Sequence, residues 1–211
     1  MVAGQTLSKD GNQVLLFPLP YIYISQGEGG SYSHAGTLNI DFLGYNGSQI
    51  VNNQDYYAPC DIICKVKNTT AYYCCWESVN EVWCADGVLR KISIMNIHGD
   101  YLPDVGTIIR QGEKMGVTGS YGQASGDHVH LNFANGAYAG QEQVPPDDNW
   151  ELKNSNHIYD LCYVNDTGII VGYGYDWKTY IPPSPPGEFK KNHYKFNLFS
   201  KQLKDLRNWQ N

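Results

Sequence analysis

Two histidines, His128 and His130, stand two residues apart in Gly126-Asp127-His128-Val129-His130-Leu131-Asn132-Phe133. In an extended chain, residues i and i+2 point to the same face. One imidazole can then coordinate a metal while the other stands beside the metal's open position. The following Leu131-Asn132-Phe133 alternates apolar and polar, as a half-buried strand does. Upstream, Gly116, Gly119, Gly122 and Gly126, with Thr118, Ser120 and Ser125, read as a glycine-rich loop feeding that strand. A His-x-His pair alone is a weak pattern and needs further ligands. Asp41, between Ile40 and Phe42, is a carboxylate in an apolar strand, which costs free energy unless it is paired or metal-bound. His34 on the loop before it offers a second ligand. The bland alternative is an edge strand with Asp41 facing water. His98 stands where a strand reading of Val88–Ile97 gives way to a loop, a common place for catalysis and as common for a surface histidine.

The elements that must position these residues are mainly β. The chain has 211 residues, enough to bury a full core, with 22 Gly, 17 Tyr and only 17% charged residues. That composition favours a loop-rich β protein over a helical bundle or a disordered chain. The net charge of -6 argues against a nucleic-acid partner held through phosphates, and against free adsorption to an anionic bacterial wall. No apolar run approaches the roughly 20 residues of a membrane span. Val14–Ile24 is broken by Pro18 and Pro20 and lacks a basic start, so it does not read as a signal peptide.

In chain order, Leu16–Ile24 is apolar, aromatic and β-branched, and Gly27–Ser31 is a loop. From Tyr56 to Ile97 short strands follow one another, with Asp86-Gly87 as a hairpin signal and Val88–Ile97 as one central strand. Frequent turns between Leu16 and Phe133 make this an antiparallel β domain. Gln141–Asp148 reads as a loop leaving it, and Ile158–Val164 with Gly168–Val171 as a hairpin that packs back on the core. Pro182–Gly187 is a semi-rigid spacer, and the last segment is basic and aromatic, with Phe199, Leu203, Leu206 and Trp209 at helical spacing. The expected division is 1–140, a catalytic domain; 141–187, an extension with the hairpin and the spacer; and 188–211, a terminal segment containing a helix. That segment either packs on its own domain or docks to a larger assembly. Six cysteines, five of them between Cys60 and Cys84, fit buried thiols, one or two bridges, or a local zinc knot of no standard spacing.

The order Phe17-Pro18-Leu19, Ser25-Gln26-Gly27, His34-x-Gly36…Asp41, Ala58-Pro59, Ile97-His98, Val105-Gly106…Gly112, Gly116-x-Thr118-Gly119 and Gly126-x-His128-x-His130 resembles the lysostaphin/LytM-type zinc endopeptidases of bacterial cell walls. The resemblance covers roughly residues 15–135. It implies an antiparallel β-sheet groove with one Zn²⁺ held by His34, Asp41 and His130, and with His128 and His98 as catalytic histidines. Phage tail-tip members are similar to this chain in its longer spacing from His34 to Asp41. In a plain strand that seven-residue step reverses the face, so a loop or bulge must intervene at Ala35–Asn39. Asn39 is the rival donor, a poor zinc ligand beside a carboxylate.

Two His and one Asp leave a fourth position for water, as in catalytic rather than structural zinc sites. No His-Glu-x-x-His helix motif occurs, so a histidine must act as base. His128, two residues from His130, is in position for it, while His98 hydrogen-bonds an oxyanion or assists proton transfer. His157 and His193 lie outside the region of resemblance and read as ordinary histidines. Substrate choice is expected from loops at Asn46–Tyr57 and Gly136–Val144. The expected function is cleavage of stem or crossbridge peptides of peptidoglycan by an enzyme carried in a virion, on a phage tail, beside other tail proteins. The alternatives are a catalytically silent binding or structural tail module, and a lysis-phase endolysin.

Overall fold

The computed structural model describes residues 1–147, 149–164, 170–171 and 173–180. The main sheet has nine strands. Eight run side by side: Ile108–Ile109, Ile62–Asn68, Tyr73–Ser78, Ile92–Ile97, Val129–Asn135, Ile40–Phe42, Ile22–Gln26 and Ile170–Val171. Ser155–Asn156 adds to Val129–Asn135 off that path. Every pairing in this sheet is antiparallel except Ile170–Val171 on Ile22–Gln26. The only described helix is the four-residue turn Ile158–Leu161. The expectation of a mainly antiparallel β protein holds.

Alternation divides the sheet into two faces. Ile40, Phe42, Ile92, Ile94, Val129, Leu131 and Phe133 enter one core cluster, together with Phe17 and Trp76. Fully burying such side chains contributes about 1.5–3 kcal/mol each. Some of the polar side chains here are matched: Trp76 Nε1 donates to Asn96 Oδ1 at 2.7 Å, and Asn96 Nδ2 donates to Tyr56 Oη at 2.8 Å. The residues between these apolar positions, Asp41 and His130 among them, fall on the opposite face.

Three local readings are corrected. Val88–Ile97 is not one strand: Leu89–Arg90 pairs with Val82–Trp83, and after Lys91 the chain changes partners as Ile92–Ile97 enters the main sheet. Alternation reports a face and is silent on which neighbour a strand takes. Gln141–Val144 is a strand paired with Asn149–Leu152, not a loop. Among the described residues, the expected pairing of Ile158–Val164 with the segment ending at Val171 is not seen. Ile158–Leu161 is helical, Tyr163–Val164 pairs in parallel with Lys178–Thr179, and Ile170–Val171 joins Ile22–Gln26. The packing back on the core does occur, through Ile158, Leu161, Cys162 and Trp177. The proline-rich spacer, the basic segment 188–211 with its expected helix, and His193 lie outside the described residues.

Candidate metal centre

Asp41 lies in an internal strand, not at an edge, and is 9% exposed. Across the sheet it is in register with His130, and His130 with Ile97. The turn after Ile97 therefore carries His98 to the same end of the same strands. His34 arrives from a loop that the seven-residue spacing required. Its backbone N–H donates to the Gly30 carbonyl at 2.9 Å, and the amide and hydroxyl of Thr37 both donate to its own carbonyl, at 2.9 and 3.0 Å. This winding, with Gly36 at φ 77, restores the face that a plain strand would have lost. The hairpin after Gly140 braces the loop from outside: Leu38 N–H donates to Glu151 Oε2 at 2.9 Å and Asn39 Nδ2 to the Trp150 carbonyl at 3.0 Å. Asn39, the rival donor, is tied to that hairpin through its Nδ2, while its Oδ1 is buried without a hydrogen bond.

His34, Asp41 and His130 form a group that could hold a metal ion. His34 Nε2 and His130 Nδ1 are 3.2 Å apart, and Asp41 Oδ1 lies 3.3 Å from the first and 3.0 Å from the second. For a tetrahedral zinc with bonds of about 2.0–2.1 Å, ligand atoms should stand about 3.3 Å from one another. The triangle fits. Asp41 Oδ1 is buried without a hydrogen bond, which leaves a carboxylate oxygen orphaned among nitrogens. Imidazole with carboxylate is also a donor set suited to zinc. His34 Nδ1 lies 3.1 Å from the Gly27 carbonyl; a carbonyl only accepts, so the proton is on Nδ1 and the Nε2 lone pair faces the group.

Electrostatics follow from burial. Burial raises the Asp41 carboxyl, but the contacts and electrostatic influence of His130 and His34 outweigh it and hold the group well below the ordinary carboxylate range. Burial lowers the His130 imidazole against the opposing pull of Asp41. It also brings His98 down to about 4, so His98 is neutral near pH 7.

His128 and His98 stand beside the triangle, their ring centroids 4.6 Å apart. His128 Nε2 is 3.7 Å from Asp41 Oδ1, and its Nδ1–H donates to the Gly126 carbonyl at 2.9 Å. His98 Nδ1–H donates to the Tyr121 carbonyl at 2.7 Å. Both rings are thus fixed in one tautomer with Nε2 free to accept a proton. His98 has φ 74, a conformation that costs of order 1–3 kcal/mol in a non-glycine residue. It is held there by its N–H to the Tyr72 carbonyl at 3.0 Å and by Tyr121 N–H to its own carbonyl at 3.3 Å, with Tyr72 and Tyr121 stacked at 4.5 Å. A Cβ on Gly119 would lie 2.6 Å from the His98 oxygen, so only glycine allows this approach.

Four of the five expected site residues, Asp41, His98, His128 and His130, line one groove, and His34 is buried beneath it against Asp41 and His130. The groove's walls differ from expectation: Ser25, Gln26, Tyr32 and Ser33 line one side, and Gly122 to Asp127 the other. Neither Asn46–Tyr57 nor Gly136–Val144 lines it. Sequence reasoning also missed Asp127, which accepts from Thr118 Oγ1 at 2.5 Å and from Asn53 N–H at 3.1 Å, and so ties down the loop that delivers His128. A carboxylate directly before the His-x-His pair was the available signal. The cysteines are six buried free thiols, and among the described residues no group of possible metal ligands includes one.

No protein-family model matches the chain. It is similar to Morphogenesis protein 1 of Bacillus phage B103, with 43% identity over 171 residues covering 80% of this chain. The chain spans 45% of that relative's length. Among solved structures it is similar to a mutant catalytic domain of the prophage-encoded M23 protein EnpA from Enterococcus faecalis, at TM-score 0.42 and 15% identity over 60% of this chain and 90% of that one. A zinc-containing peptidase from Vibrio cholerae gives TM-score 0.40 and 18% identity over 61% and 42%. The catalytic domain of lysostaphin from Staphylococcus simulans gives 0.35 and 16% over 58% and 80%.

Proposed function

We propose that this chain is a zinc metallo-endopeptidase that cleaves peptide cross-links of bacterial peptidoglycan. The observation that carries the reading is the triangle of His34 Nε2, Asp41 Oδ1 and His130 Nδ1, with sides of 3.0–3.3 Å and an orphaned carboxylate oxygen, beside two histidines that present free Nε2 atoms. His34, Asp41 and His130 would hold the zinc. When bound, zinc polarises a carbonyl and lowers the pKa of a water to about 7.

The chain's own residues supply the rest. His128, whose Nδ1–H is committed to Gly126, uses Nε2 to take the proton from the attacking water and later passes it to the leaving amine. His98 is neutral and also an acceptor at Nε2, so proton transfer suits it better than a resting hydrogen bond to an oxyanion. It becomes a donor only after taking up a proton. Among the described residues no Lys or Arg lines the groove; its walls offer hydroxyl and amide groups, which suit an uncharged peptide backbone.

The same proposal places the enzyme on a phage tail, working against the host wall during entry. Its support is the 43% identity to a phage morphogenesis protein. In this reading residues 1–140 carry the catalysis, 141–187 serve as an extension, and 188–211 dock to other tail proteins. Deleting 188–211 should then lower incorporation into particles while leaving hydrolysis of soluble fragments intact. The chemical reading is tested by incubating the protein, with and without a zinc chelator, with purified peptidoglycans of different crossbridge types and weighing the fragments. Peptide-bond cleavage that disappears with the chelator supports it. Intact cross-links in every substrate at full zinc occupancy would sink it, in favour of a catalytically silent module.

A further inference from the structure

His157 lies in a segment expected to hold an ordinary histidine, yet it reaches the loop that carries His34. Its Nδ1 is 2.7 Å from Glu28 Oε2. The backbone N–H of Glu28 donates to Tyr175 Oη at 3.3 Å. One residue earlier, the Gly27 carbonyl receives the Nδ1–H of His34 at 3.1 Å. A Cβ on Gly27 would lie 2.5 Å from Tyr175 Oη, so the hydroxyl occupies room that only glycine leaves. Behind these contacts stands a row of rings. His157 stacks on Tyr159 at 4.9 Å and Tyr159 on Tyr175 at 5.0 Å, while Trp177 meets Tyr175 at 6.2 Å and Phe17 at 5.0 Å. Phe17 and Trp177 belong to the main core. The partners of Glu28 are therefore anchored to the rigid part of the molecule.

We infer that Glu28, His157 and Tyr175 are positioning residues that fix the Gly27 carbonyl and, through it, the ring of His34 for metal binding. The inference rests on the reading of His34 as a metal ligand. Gly27, Gly29 and Gly30 make the loop intrinsically loose, and a loose loop loses much conformational freedom when a metal orders it. A brace that orders the loop beforehand removes that loss from the binding equilibrium. The carbonyl that orients a ligating histidine is the kind of outer contact whose loss weakens metal binding by roughly 10–100-fold. Glu28 acts one step further out, so the low end of that range applies. The side chain of Glu28 is mostly buried, and its second oxygen, Oε1, has no partner. With His157 removed, no described side chain would hold that carboxyl in place.

The test uses the full chain. Zinc affinity is measured by chelator competition for wild type, His157→Ala, His157→Gln, Tyr175→Phe and His130→Ala. Amide hydrogen exchange of Gly30 and His34 is followed in the metal-free proteins. Zinc affinity should fall about tenfold in His157→Ala and several-fold in Tyr175→Phe, which keeps the ring stack. His157→Gln, which retains an N–H toward Glu28, should recover part of the loss. The Gly30 and His34 amides, which donate to the Gly27 and Gly30 carbonyls, should exchange faster, while amides of Val129–Asn135 stay unchanged. Unchanged zinc affinity in His157→Ala and Tyr175→Phe, with binding abolished in His130→Ala, overturns the brace and leaves the ligand assignment standing. Zinc retained by His130→Ala overturns the ligand assignment instead. Loop exchange in the metal-free proteins then decides the brace separately, and unchanged exchange overturns it.

Discussion

Two regions of this sheet are rich in side chains that bind metals, and they have opposite fates. On the groove face, three donor atoms from His34, Asp41 and His130 converge to within 3.3 Å, and one of them has no hydrogen bond. From Cys60 to Cys84, in and beside two of the sheet's strands, five thiols crowd a short stretch of chain, yet each is buried as a free cysteine. Cys74 and Cys75 are neighbours on one strand, and successive residues face opposite sides. Cys74 enters the main core and Cys75 a separate cluster, so they cannot share an ion. Burial pushes the Cys75 and Cys84 thiols up to about 12, away from the thiolate that a metal needs. Ligand chemistry in a sequence becomes a metal site only where the fold brings donor atoms together and leaves them unsatisfied.

The sharpest way to break the comparison is to remove one converging donor. His130→Ala should lose both its zinc and all measurable hydrolysis, while far-ultraviolet circular dichroism stays that of wild type. Stoichiometric zinc in this variant, by metal analysis, would refute the assignment.

The next effect separates ligands from their neighbours. His128→Ala and His98→Ala should each keep zinc and lose on the order of 10²–10⁴ in turnover. Zinc loss in either variant would make that histidine a ligand. How far each of these roles could be read from the chain differs. His-x-His on a strand announces a shared face, and the seven residues from His34 to Asp41 demand the loop that is found. The strained turn at His98 was hidden, because a positive φ there depends on Tyr72 and Tyr121 from two other segments. So were the groove walls, since loop length does not say which loops lean over a sheet. Glu28 and His157 are 129 residues apart, and no local pattern connects them.

Smaller effects are expected on the cysteine side. Cys84→Ser places a hydroxyl where the thiol is fully buried, and should cost about 1–3 kcal/mol in urea unfolding while zinc content and turnover stay at wild-type levels. A change in zinc stoichiometry would give the thiols a role that they lack here. The smallest effect is a near-absence of reaction. With burial raising Cys75 and Cys84 to about 12, these two thiols should resist iodoacetamide in native protein near pH 7 over a period in which urea-unfolded protein is fully alkylated. Rapid labelling of either one in the native fold, read by peptide mass, would mean that these thiols are not packed as described.

X-ray absorption at the zinc edge of the purified chain tests the central claim most directly, because it reads the ligand atoms themselves. The account predicts one zinc per chain with nitrogen and oxygen neighbours at about 2.0–2.1 Å and no sulfur in its shell. A sulfur shell at about 2.3 Å, or a chain that retains no zinc at all, would contradict it.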